Sequence, residues 1–194
     1  MSGVGSVLEE LDSVPWHKLI TFYGLGSAVP TAIRDLVLTQ DARQRDAYSF
    51  LRENLEHQDG VVQATVFATP TLLRLVGVGC VASELILELL TIYTASAAFT
   101  LEEIWDSPHE ATVASLERFR GCDASLWNGP SNAPAEMTHA DRFSDAEWWA
   151  WSRLVIADIA GASPLLSDLA RGPNGRVAIL ANELLETASR WEAT

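Results

Sequence analysis

The stretch "AVPTAIRDL", residues 28–36, is followed forty residues later by "ATPTLLRLV", residues 68–76. Ala28, Pro30, Thr31 and Arg34 return as Ala68, Pro70, Thr71 and Arg74, while Ile33 is echoed by Leu73 and Leu36 by Val76. Proline near a helix start, a second helix about ten residues later and a 40-residue spacing make the period of a helix-pair solenoid. Pro108 falls 38 residues after Pro70, and Ser163-Pro164 opens a further unit. The predicted repeat units are 28–56, 68–98, 107–160 and 163–191 within a single domain of 1–194, the third carrying an inserted loop at 121–143.

Helical punctuation surrounds these units. Pro15 suits the first turn of a helix to about Tyr23, with Gly24 as its stop. Asp41 is placed to cap "ARQRDAYSFLRENLE", in which Gln44, Ala47, Tyr48, Leu51 and Leu55 share one face. "HQDG", 57–60, breaks the chain, and "VVQATVF", 61–67, is expected to be helical because a lone strand would lack a partner. "ASELILELLTIYTASAAF", 82–99, is apolar nearly all round, the mark of a helix buried between neighbours. Ser107-Pro108-x-Glu110 and Ser144 with Glu147 form capping boxes, and "GRVAILANELLETASRW" makes the last helix.

The chain resembles the HEAT-repeat family. The likeness lies in proline early in a first helix, apolar spacing through Ile33 and Leu36, then Asp41, Arg43 or Arg45, Ala47 and Leu51 in the second. "PLLSDLARGPNGRVAILANELL", 164–185, is similar, with Arg176, Ala178 and Leu180 in the corresponding places. On this reading the fold is an all-α, right-handed superhelix of about eight to ten helices, a HEAT-like solenoid whose broad concave face holds other macromolecules.

Composition bounds the partners. Of the 194 residues, 26 are acidic and 13 basic, for a formal charge of −13. Such a surface repels phosphate backbones, so nucleic acid and anionic membranes are excluded and a basic protein is the complementary partner. HEAT-like DNA-repair glycosylases use cationic concave faces, for which this chain lacks the charge. Cys80 and Cys122 make neither a disulfide framework nor a zinc motif, which fits a reducing, cytoplasmic setting. "MSGVGSVLEELDSV" has neither a basic region nor a long apolar core, so no signal peptide is read there. Glu84 and Glu88 interrupt the most apolar zone, leaving uncharged runs short of the roughly 20 residues a spanning helix needs.

Catalytic signals are thin. His17, His57, His109 and His139 are scattered, and "HAD" at 139–141 lacks a third ligand, so neither a metal nor a cofactor is expected. There is no nucleophile elbow, and "GLGSAVP", 24–30, lacks the strand and lysine of a phosphate cradle. Glu9–Glu10 and Glu102–Glu103 are adjacent and point apart on a helix, whereas Glu84 and Glu88 share a face and are expected to form a wet stripe or meet an arginine.

Tryptophan is the most suggestive residue. Trp148, Trp151, Val155 and Ile159 fall on one helical face, flanked by Trp149 and Ile156, and are expected to be core. Trp127 lies in the long loop, and tryptophan brings large contact area with few rotors to freeze. The leading expectation is a non-enzymatic protein-binding solenoid, an acidic inhibitor or immunity-type protein that masks a basic partner such as a toxin. Its candidate contact residues are Trp127, Trp149, Asp123, Glu136 and Asp141. The rivals are a small helical enzyme with a metal-assisted site through His139 and Asp141, and a self-associating solenoid.

Overall fold

The computed structural model describes residues 3–103 and 145–192. Ser107, Pro108, Ser144, the inserted loop, Trp127, Asp123, Glu136, Asp141 and the rival's His139 lie outside the described residues. Within them the chain is mainly helical, in the order α1 (Gly3–Glu10), α2 (Val29–Leu38), α3 (Ala42–Leu55), α4 (Gln63–Gly77), α5 (Ser83–Glu103), α6 (Asp145–Gly161), α7 (Ser163–Ala170) and α8 (Gly175–Glu192). Two small antiparallel hairpins interrupt it: β1 (Ile20–Thr21) with β2 (Gly24–Leu25), and β3 (Glu56–His57) with β4 (Gly60–Val61).

Helix α5 is the axis. Its apolar girth buries Ile86, Leu87, Leu89, Leu90, Tyr93, Ala97 and Leu101, as the sequence predicts for a helix surrounded by others. It packs against α3, α4, α6 and α8. By length and composition alone it could cross a membrane, and 61% of its apolar window is buried inside the protein, as in the central helix of a bundle. Glu88, on its wetter side, meets Arg176 of α8 at 2.9 Å, which is the arginine the sequence reading asked for.

This packing does not confirm the repeat arrangement. In a solenoid each unit touches only its neighbours, yet α5 of the second unit packs on α8 of the fourth as well as on α6 of the third. A helix greasy on every side is buried best at the centre of a bundle, and the described residues form that bundle. The two prolines are also unlike. Pro30 is buried in the first turn of α2, whereas Pro70 is exposed in the interior of α4. Helix α4 starts early because Thr65 accepts a hydrogen bond from Val62 N–H at 3.2 Å and donates to the Leu55 carbonyl, so Gln63–Phe67 joins the helix ahead of the proline.

The nine-residue echo nevertheless has a structural counterpart. Ile33, Leu36, Leu73 and Val76 all point into the core. Arg34 reaches Asp12 at 2.7 Å and the Leu8 carbonyl at 3.2 Å, and Arg74 pairs with Glu10. The two arginines hold the same N-terminal segment, one from α2 and one from α4.

One correction concerns 15–23, which is no continuous helix. A 3-10 turn at Trp16–Lys18 leads into the first hairpin, with Gly24 at φ 142°. "ITFY" is β-branched and aromatic, which disfavours helix. Its extended backbone is satisfied from far along the chain: Ile20 N–H by the Gln63 side chain at 3.0 Å, and Phe22 N–H by the Asn54 carbonyl at 3.0 Å. The segment before it, "GVGSVLEE", supplies an N-terminal helix that the sequence reading had not assigned.

Candidate functional site

The two hairpins meet at one end of the bundle. Asp41 caps α3 by accepting the Arg43 N–H at 2.9 Å, and α3 runs straight into β3. The turn Gln58–Asp59 has both residues in the left-handed region, at φ 52° and 61°, which is the geometry of a two-residue hairpin turn matched to strand twist. Thr100 of α5 donates to the Asp59 carbonyl at 3.1 Å, and Ser96, one turn earlier, donates to Glu56 Oε1 at 3.0 Å. Hairpin and central helix are thereby stitched together.

Aromatic rings fill the seam. Trp148 of α6 lies over Gly60, so close that a Cβ there would sit 2.9 Å from its ring. It also meets Phe22 of the first hairpin at 5.9 Å between centroids and Trp151 at 5.7 Å. His57 stands edge-on to Phe22 and to Tyr23, 5.7 Å from each, with the Tyr23 hydroxyl 3.5 Å from Nδ1. Phe22 and Trp151 are buried, His57 and Trp148 half-buried, and Tyr23 is 62% exposed.

Carboxylates are numerous on the same segments and on the helix ends beside them. Glu56 and Asp59 belong to the hairpin, Glu102 and Glu103 end α5 within a turn of Thr100, and Asp145 and Glu147 begin α6 just ahead of Trp148. Neither hairpin, nor 100–103, nor 145–148 carries a lysine or arginine. Among the described residues these segments therefore carry net negative charge beside the exposed Tyr23 ring.

Beside the hairpin a groove of about 450 Å³ runs along the last two turns of α3, lined by Tyr48, Ser49, Arg52, Glu53, Glu56, His57 and Gln58. Burial pushes the Tyr48 phenol above its usual range, helped by the Glu88 carboxylate and opposed by Arg52 and Arg176. Tyr93, behind it, is buried outright and pushed well up by desolvation, with Tyr48 and Glu56 adding to the effect, while its hydroxyl donates to the Leu51 carbonyl at 3.1 Å. Among the described residues no three His, Cys, Asp or Glu side chains gather to hold a metal ion. Cys80 is buried, and that burial raises its thiol.

Of the contact residues expected from the sequence, only Trp149 is described. It is half-buried against the core, with the Arg153 guanidinium 5.7 Å from its ring centre, and Arg153 in turn donates to the Trp191 carbonyl at 3.0 Å. Trp149 thus packs towards α8, and its neighbour Trp148 is the tryptophan at the hairpin end. Trp151, Val155 and Ile159 are core, as expected, and Trp148, expected there too, is half-buried against it. Tyr23, Glu56 and His57 were missed; the short "HQDG" break between two helices was the available signal for a hairpin there.

No protein-family model, curated protein or solved structure matches this chain. The likeness to HEAT repeats therefore rests on the residues quoted for it.

Proposed function

We propose that this protein is a binding module for a basic protein partner, engaged through the acidic, aromatic end where the two hairpins meet. The observation that carries this reading is six carboxylates, Glu56, Asp59, Glu102, Glu103, Asp145 and Glu147, on the segments 56–61, 100–103 and 145–148, which carry no lysine or arginine and include or adjoin the His57, Tyr23 and Trp148 rings. Aromatic area supplies contact with few rotors to immobilise, and the rim of like charge steers a cationic surface into place. The specific form we favour is an inhibitor that masks a cationic surface, such as the phosphate-binding face of a nuclease toxin.

Titration with an arginine-rich peptide tests this, followed by tryptophan fluorescence and calorimetry. Affinity is expected to fall about tenfold or more between about 50 and about 200 mM salt. It is expected to weaken by a similar factor in Glu102→Gln/Glu103→Gln/Asp145→Asn. Binding indifferent to both salt and these substitutions would overturn the reading.

A further inference from the structure

Glu56 differs from the other carboxylates of the hairpin end. It is half-buried, its Oε1 is fixed by the Ser96 hydroxyl at 3.0 Å, and Ser96 is itself only 5% exposed. None of the ion pairs among the described residues involves it. A half-buried carboxylate with one oxygen fixed by a hydroxyl keeps the other as an acceptor for a cation brought to it. The 450 Å³ groove opens onto it.

The remaining lining fits a flat cation. Tyr48 and His57 supply ring area, Glu53 a second carboxylate, and Gln58 a neutral amide. A guanidinium stacks on aromatic faces and bonds a carboxylate with two parallel N–H groups, whereas an ammonium offers a compact, strongly hydrated point charge. We infer that this groove is the subsite for an arginine side chain of the basic partner, with the Glu56 carboxylate as its anchor. Arg52, the one cation lining the groove, opposes the guest and sets the strength of binding. The inference rests on the reading of the protein as a binder of basic partners.

The experiment compares an arginine-rich peptide with its citrulline counterpart, equal in shape and uncharged, on the full chain. Wild-type protein is expected to prefer arginine at least about tenfold. Glu56→Gln, which keeps an oxygen for Ser96, is expected to weaken the arginine peptide about tenfold, and Tyr48→Leu about threefold. Arg52→Gln is expected to tighten it about two- to threefold. Circular dichroism melts of each variant show that the fold is retained. If wild-type protein does not prefer arginine over citrulline, the basic-partner reading fails and this subsite with it. If wild type prefers arginine and Glu102→Gln/Glu103→Gln/Asp145→Asn abolishes that preference while Glu56→Gln and Arg52→Gln leave it unchanged, the groove assignment alone is overturned.

Discussion

Gly60 and Tyr93 show how single positions set the geometry of the hairpin end. Gly60 adopts an ordinary backbone conformation, so what excludes a side chain is the Trp148 ring lying against it. Gly60→Ala is expected to push that ring away and destabilise the protein by about 1–3 kcal/mol, seen as a lower denaturation midpoint and a red-shifted tryptophan emission. Tyr93 is buried because α5 is central, and its neutral hydroxyl ties α5 to the Leu51 carbonyl of α3. Its raised ionisation favours the native state fully below the ordinary tyrosine value of 10.0, and this contribution is lost as pH rises beyond that towards the native value. Tyr93→Phe is expected to lower stability by about 1 kcal/mol at neutral pH and to lessen the decline above about pH 10, both read from urea unfolding. Asp41 as a cap and Glu88 beside an arginine were legible from sequence, because each follows from residues a turn away or from the charge pattern of one helix face. The crowding at Gly60 was not, since the ring that causes it lies 88 residues downstream.

Among the elements, the helices with strong periodicity are found where the pattern puts them: α3 after its Asp41 cap, α5 by its apolar girth, α7 behind Ser163-Pro164, and α8. The hairpins are the exception. Residues 20–25 and 56–61 are each too short to show a period of two, and what anchors them to the helices is bonding to Gln63, Asn54, Ser96 and Thr100. The second turn carries two non-glycine residues in the left-handed region, a conformation that asparagine and glycine tolerate better. Gln58→Asn with Asp59→Gly is therefore expected to raise the unfolding free energy by about 1 kcal/mol, measured by chemical denaturation. No change or a loss would mean that the native side chains make compensating contacts in the turn.

For the whole molecule, charge and apolar burial act on different regions. The segment 3–13 is fastened to the bundle by Val7, Leu8 and Leu11 in the core and by Arg34 and Arg74 at its rim. Hydrogen bonding to Arg74 lowers Glu10 below its ordinary value of 4.5, so the pair supports the native state above that pH and is lost as pH falls through the depressed native value. Wild-type protein is expected to melt above Glu10→Gln at neutral pH and to lose that advantage in acid or in about 1 M salt. The sequence by itself determined the helical class, the net acidity, the burial of most of 82–99 and most helix boundaries, because these depend on composition and on neighbours within one or two turns. The tertiary structure alone decided that the arginines of the echoed segments clasp one N-terminal segment, and that the two hairpins, Trp148 of α6 and Thr100 of α5 come together. Those outcomes come from contacts between residues far apart in the chain, where the surfaces that best exclude water choose the arrangement and no local periodicity records the choice.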